Sequence, residues 1–411
     1  MEFFEKLGQR IEAAWAATGH DEQALPAIAE RALREAECHR HVDSDQVARW
    51  LMTAERIPGQ GNVNNGFGEP ALFAFNNGRL IIQLLHWVVG TTSLHEHGFF
   101  GAFSVLEGSS VHSRYQFTAS HSHSEHFLIG ELALQQFELL RQGDVRPITG
   151  RRLIHSLFHL DCPSISVVVR TVKHGSEGPQ LNYLKPSIGL YPDLNDPLMA
   201  RRLQYLKLLA RTRPAEYQRW VLHLLERVDL LSTFLLLQQL AEELPARAFW
   251  EAALAEARRR HGAVTATFQT VFEMQRRERA IVGLRDAVTD ADHRFFLALL
   301  LVLPTRRAIL EVIGQRFPDE EPRQKAAAWI ADLGESLVMG VEFDELNREL
   351  LRLLVLGLDD DAVLGALRES FAWEDEGDRR EELLSHVGRL RSHPIVAPLL
   401  QAEGRTSSQE T

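Results

Sequence analysis

The stretch Leu84-Leu85-His86-Trp87-Val88-Val89-Gly90-Thr91-Thr92-Ser93-Leu94-His95-Glu96-His97-Gly98 changes texture halfway along. Its first half is an apolar run bearing the aromatic and β-branched residues that fit a strand. Its second half carries two histidines at i and i+2. Side chains alternate along an extended chain, so His95 and His97 project to the same side. Two imidazoles placed that way can share one metal ion, and imidazole suits iron, zinc, copper and nickel. A third histidine, His155, closes a second patterned stretch further on.

Working outward, residues 70 to 172 read as strands. Short apolar segments (Ala71 to Phe75, Leu80 to Trp87, Phe99 to Leu106, Phe127 to Leu134, Ile165 to Val172) alternate with Gly, Asn, Ser and His. Asn76-Asn77-Gly78 between the first two predicts a hairpin, since both of its turn residues can take positive φ. Several short strands with regular turn signals predict a sandwich or barrel. Ten of the 18 histidines (86, 95, 97, 112, 121, 123, 126, 155, 159 and 174) fall inside this segment, which strengthens the reading of a metal site.

Residues 1 to about 57 read as helix, with Phe4, Leu7, Ile11 and Trp15 at three- and four-residue spacing. Pro58-Gly59-Gln60-Gly61 and Asn64-Asn65-Gly66 break that pattern. Beyond Pro186 and the segment Tyr191 to Pro197 the chain turns helical. Apolar stripes run through Leu203, Leu206, Leu209 and Ala210, and through Trp220 to Leu240, Phe295 to Leu301 and Leu346 to Leu356. Pro214, Pro245, Pro304, Pro318 and Pro322 punctuate the helix boundaries. The predicted organisation is a helical segment over 1–60, a strand-rich metal-binding domain over 61–190, an all-helical domain over 191–404 and a disordered tail over 405–411. The charged run Glu374 to Glu382 reads as a solvated helix or loop.

Composition excludes several classes. At 411 residues the chain is long enough for two or three domains. A formal charge of −11, from 45 basic and 56 acidic residues, argues against a nucleic-acid surface. Cys38 and Cys162 are the only cysteines, so no disulfide framework is expected and a reducing cytoplasm is the natural location. The amino terminus carries acid early and lacks an apolar leader, and runs such as Phe295 to Pro304 are too short to span a bilayer. The expectation is a soluble protein with no membrane partner.

The strand-rich segment resembles the cupin superfamily, whose first motif sets His-x-His between two glycines with a glutamate between. Gly90, His95, His97 and Gly108 occupy those slots, and Gly101 falls where the glutamate usually stands. Gly143-Asp144-Val145 leading to His155 resembles the second motif. Three histidines without the glutamate is the pattern of the thiol dioxygenases, typified by cysteine dioxygenase. Leu85-x-Trp87-x-x-Gly90, His95-Glu96-His97-Gly98 and Phe103-x-Val105-Leu106-Glu107-Gly108 resemble the bacterial branch of that family. The resemblance covers roughly residues 70 to 170. It implies a mixed α and β fold: a jelly-roll-type cupin β-barrel with N-terminal helices, followed by an all-α domain. It further implies that His95, His97 and His155 ligate Fe(II), and that the protein is an oxygenase using O₂ on a small thiol-bearing or anionic substrate. Glu107 aligns as a turn residue beyond the ligand slot.

The strand after His155 departs from that family. Where cysteine dioxygenases carry Ser-x-His-x-Tyr, this chain reads Ser166-Val167-Val168-Val169-Arg170. Arg170 is therefore a candidate for binding an anionic substrate group through its planar fork. His159 is a rival third ligand or a pocket residue, and either Tyr115 or Arg114 is expected to reach the pocket. His86 reads as a core or pocket histidine. His121, His123 and His126 read as a solvated loop with a use as a pocket lid, Cys38-His39-Arg40-His41 as a polar helix end, and Cys162 as a small packed residue. Two readings of other classes stay open: a ligand-sensing cupin without catalysis, and a zinc- or manganese-dependent isomerase or hydrolase. In all of them the helical half is available for capping, homodimerisation or contact with a carrier protein.

Overall fold

A computed structural model describes residues 1–61, 67–88, 91–172, 180–192, 196–335, 344–371 and 379–400. Gly90, His174, the loop Asn64-Asn65-Gly66, the first part of the charged run from Glu374 and the tail from Arg405 lie outside the described residues. The fold is mixed α and β.

Three helices open the chain: α1 (Glu2–Ala16), α2 (Leu25–Ala36) and α3 (Ser44–Thr53). The three- and four-residue spacing of Phe4, Leu7, Ile11 and Trp15 buries one stripe of α1. Asp43 starts α3 with a reciprocal cap. Its carboxylate accepts the Gln46 N–H at 2.7 Å, and Gln46 Oε1 accepts the Asp43 N–H at 3.3 Å.

Ten strands follow: β1 (Ala71–Asn76), β2 (Leu80–Trp87), β3 (Phe100–Glu107), β4 (Ser110–Ser124), β5 (Phe127–Leu140), β6 (Val145–Thr149), β7 (Ile154–His159), β8 (Ser164–Thr171), β9 (Asn182–Leu184) and β10 (Ile188–Leu190). They form two five-stranded antiparallel sheets, ordered β1-β2-β8-β3-β6 and β7-β4-β5-β10-β9. The predicted β1–β2 hairpin is present, with Asn76 opposite Ile81. Only Gly78 takes positive φ, at 85°. Asn77 needs none, because its side-chain oxygen accepts the N–H groups of Arg79 and Leu80 at 3.0 and 2.8 Å and closes the turn itself.

The first sheet is covered on both faces, and its strands show how. Leu80, Ile82 and Leu84 of β2 and Ile165, Val167 and Val169 of β8 join Phe4, Ile11 and Leu33 in one apolar cluster under the N-terminal helices. The alternate residues Leu85, Trp87 and Val168 turn the other way and pack with Phe103, Val105, Leu153 and Leu157. Each fully buried side chain of this size contributes about 1.5–3 kcal/mol. Double coverage is why these strands read as continuous apolar runs rather than as a polar–apolar alternation.

The second sheet offers Phe127, Ile129 and Ile188 to a separate cluster. Its partners come from α4 (Pro197–Thr212), α5 (Pro214–Leu225), α6 (Leu230–Glu242), α7 (Arg247–His261) and the first half of α8 (Ala266–Ala287), among them Leu206, Leu209, Phe234, Phe268 and Phe272. The later helices are α9 (Ala291–Val302), α10 (Arg306–Arg316), α11 (Pro322–Glu335), α12 (Glu345–Leu356), α13 (Asp360–Ser370), α14 (Arg379–Arg391) and α15 (Ala397–Leu400). Pro214 and Pro322 stand in first turns, and Pro304 follows the end of α9. Among the described residues, no helix is long and apolar enough to cross a membrane.

The chain divides into two compact units: Met1–Phe158 with Pro163–Arg276, and His159–Cys162 with Arg277–Thr411. Strands give way to helices near residue 190, whereas this division falls inside α8, since the helices before it share the core of the second sheet. Within the second unit, two buried arginines hold the short segment His159–Cys162. Arg285 Nε donates to the His159 carbonyl at 2.8 Å, and Arg294 Nη1 donates to that of Leu160 at 2.9 Å. Cys38 is buried, but Cys162 is exposed and does not pack as the small apolar residue its composition suggests. It stands in the turn between β7 and β8.

Candidate metal centre

The segment Leu94–His97 is extended without being a full strand. His95 and His155 exchange both backbone hydrogen bonds, at 3.0 and 2.9 Å, the close pairing of an antiparallel ladder. On the other side Tyr183 N–H donates to Leu94 O at 2.8 Å, and Glu96 N–H donates to Leu181 O at 3.1 Å. The motif is thus a single rung between β7 and the chain around β9, and it brings His155 directly opposite His95.

Alternation along this rung separates the roles of its three residues. His95 and His97 turn toward a cavity of about 420 Å³, and His155 joins them there. Glu96 turns the opposite way and is buried. Its carboxylate accepts Arg151 Nε at 2.7 Å, Tyr183 OH at 2.7 Å and the Leu181 N–H at 3.3 Å. The middle residue of the motif therefore clamps the rung in place, a role its flanking histidines mask in the sequence.

The three imidazoles are buried, each offering a nitrogen such that all three lie within 4.8 Å of one another. Ring centroids stand 4.7 Å apart for His95 and His97, and 4.9 Å apart for His155 with either. His95 Nδ1 donates to Ser93 O at 2.7 Å, so its Nε2 carries the lone pair. His97 Nε2 and His155 Nε2 face each other at 2.8 Å. Burial pushes all three pKa values down, those of His97 and His155 well below the usual imidazole range, with the neighbouring histidines adding to the effect. Neutral imidazole is the form that ligates metal. Among the described residues, this is the one group of three or more His, Cys, Asp or Glu placed to hold an ion.

Among the described residues no carboxylate completes it, and Gly101 shows why. A Cβ built at Gly101 would stand 1.9 Å from the Val169 carbonyl oxygen and 2.9 Å from Arg170 Cα, so no side chain fits without moving β8. Glu107 lies instead at the end of β3, where Oε2 accepts the Ser44 N–H at 3.3 Å.

Arg170 lines the same cavity, together with Gln83, Ser166 and Val168. Its guanidinium sits over the rings of Phe99 and Phe73, at 5.1 and 5.7 Å from their centroids. Nε donates to Gln83 Oε1 at 3.2 Å and Nη1 to Thr171 O at 3.3 Å. Among the described residues no carboxylate pairs with it. Burial lowers its pKa to about 10, which leaves it charged at neutral pH.

The remaining candidates fall elsewhere. Tyr115, not the exposed Arg114, turns inward, but it packs with Leu94, Ile154, Leu181 and Tyr183 and does not line the cavity. His159 is buried at the end of β7 with its pKa pushed down to about 3 by burial and by Arg285, and it does not line the cavity either. The group of three placed to hold an ion contains His155 and not His159. His86 is half-buried, and its Nδ1 donates to Pro70 O at 2.9 Å on the face of β2 turned from the cavity. His121 and His123 stand exposed near the end of β4, and the His126 ring meets that of Tyr191 edge-on at 5.3 Å. Hydrogen-bonded pairing carries β4 through residues expected to form a loop, and none of the three histidines lines the cavity.

The sequence counts His112 among the clustered histidines but gives it no role, and it does not single out Glu138 or Arg146. His112 Nε2 is 2.9 Å from His155 Nδ1, and His112 Nδ1 is 2.9 Å from Glu138 Oε1. Their signal is a matter of register: His112 on β4 stands directly opposite Glu138 on β5. The chain matches no family model and no curated protein.

Proposed function

We propose that this protein is a three-histidine, non-haem iron-dependent oxygenase acting with O₂ on a small thiol-bearing or anionic, amino-acid-like substrate. One observation carries the reading: three neutral imidazoles converge on a cavity that also holds a charged arginine, with no acidic partner for it among the described residues. We read the two sheets as a jelly-roll barrel of the cupin type, with the cytoplasm as the compartment that suits two free cysteines.

The donor set fits a metal such as iron. The Nδ1 atoms of His95 and His155 are engaged elsewhere, so the Nε2 atoms are the ones free to ligate. Ligand nitrogens about 2.1 Å from an ion and at right angles stand about 3.0 Å apart, close to the 2.8 Å between His97 and His155. Bound by three neutral ligands, Fe(II) would supply an uncompensated double positive charge for anionic substrate atoms and a site for O₂ beside them.

The chain's own residues do the rest. Gln83 and the two aromatic faces hold the Arg170 plane, so its fork is set in advance to take a substrate carboxylate. Ser166 adds a hydroxyl to the same wall, and Phe103, Leu157 and Val168 make the rest apolar, excluding water from the bound substrate.

Metal analysis of the purified chain, combined with oxygen-uptake measurements on small thiols and amino acids, tests this. Stoichiometric iron with substrate-dependent oxygen consumption is expected, and zinc without oxygen uptake would overturn the reading. His95→Ala and His97→Ala should each lose iron; full iron content in both would place the site elsewhere. Arg170→Met should raise KM roughly 10- to 100-fold, the equivalent of about 1.5–3 kcal/mol for a charged hydrogen bond. An unchanged KM would remove Arg170 from substrate binding.

A further inference from the structure

Behind His155, on the side away from the cavity, runs a chain of polar groups, buried at its histidines and half-buried at Glu138 and Arg146, that the proposed chemistry does not use. Arg146 Nε donates to Glu138 Oε1 at 3.0 Å and its Nη2 to Glu138 Oε2 at 2.5 Å. Glu138 Oε1 faces His112 Nδ1 at 2.9 Å, and His112 Nε2 faces His155 Nδ1 at 2.9 Å. His112 is fully buried and His155 is 3% exposed, so water does not compete for the hydrogen bond between them. The four residues come from β6, β5, β4 and β7, and the Arg146–Glu138 fork ties one sheet to the other.

We propose that His112, held by Glu138 and Arg146, is the positioning residue that selects the metal-binding tautomer of His155. This rests on His155 being a ligand, and not on the identity of the metal or the reaction. The argument follows from the direction each hydrogen bond must take. An ionised carboxylate only accepts, so the His112 proton sits on Nδ1. His112 Nε2 is then a lone pair and can only accept, which places the His155 proton on Nδ1. His155 Nε2 is left bare toward His97 and the cavity. The hydrogen bond from His112, with Arg146 beside it, holds the Glu138 carboxyl down at about 2, so its acceptor role persists at any physiological pH.

The reverse assignment shows what the chain prevents. With a donor at position 138, His112 could carry its proton on Nε2, and His155 would accept it through Nδ1. The His155 proton would then lie on Nε2, directed at His97 Nε2 only 2.8 Å away, where it would block the ligand position. A carboxylate behind a histidine behind a ligand histidine extends the usual orienting contact by one imidazole.

The test uses the full chain and two readouts. In the metal-free parent, long-range proton–nitrogen correlation of the imidazoles should find the His155 proton on Nδ1. Titration with Co(II) should show binding about 10- to 100-fold weaker in Glu138→Gln and in His112→Phe than in the parent. Phenylalanine fills the space of His112 without offering an acceptor. Co(II) affinity within twofold of the parent in both folded variants would overturn the proposal, and so would a parent His155 protonated on Nε2. Should either variant fail to fold, the tautomer of the parent still decides. A parent that binds metal but consumes no oxygen sinks the oxygenase reading and leaves this one standing.

Discussion

At the scale of single residues, the two cysteines show how far environment outweighs type. Cys38 sits at the turn after α2, 1% exposed, and burial pushes its thiol up to about 12. Cys162 stands exposed between β7 and β8. The thiolate is the reactive form, so a maleimide at neutral pH should label Cys162 in the native protein and reach Cys38 only after unfolding. Mass spectrometry of the labelled chain checks this, and equal native labelling of both would contradict the burial of Cys38. Composition had placed both in one class. Gly101 teaches the same lesson, since its absent side chain reads as a missing ligand, while the contact with the Val169 carbonyl explains why none can be there.

At the scale of elements, the ligand rung is held by Glu96 as much as by the ladder. Its carboxylate joins Arg151, Tyr183 and the Leu181 N–H, tying the histidine pair to β9 and to the turn before β7. Glu96→Ala would leave the Tyr183 hydroxyl and the Leu181 N–H buried without their acceptor, a loss of about 1–3 kcal/mol. Urea unfolding should show it as a lower midpoint at unchanged slope, and an unshifted midpoint would deny the clamp. The sequence made β2 and β8 legible because both lie between two layers and read as continuous apolar runs. It concealed β9 and β10, of three residues each, which are too short for any period to show. The outer half of β4 escaped for another reason: Thr118 to Ser124 are polar and largely exposed, and only pairing with β5 makes them a strand.

At the scale of the molecule, the site and the sheets belong to one compact unit, so an ion bound there stabilises the fold that assembles it. A metal at about 100 times its Kd adds about 2.7 kcal/mol to that unit. The thermal transition should therefore rise on addition of Co(II) to the metal-free chain, and His97→Ala should abolish the rise; an equal rise in that variant would assign the effect to another site. What the sequence determined by itself is local: the helical start, the strand-rich middle and the same-side projection of His95 and His97; the candidacy of His155 and Arg170 came from the family resemblance. Periodicity and alternation act between near neighbours, and near neighbours are what a sequence displays. Tertiary structure alone decided that His155 faces His95 across a rung, that His159 and Tyr115 leave the cavity, and that Glu138 backs His155 through His112. Each of those is set by strand register and by which sheet face is covered, and a shift of one residue would reverse it.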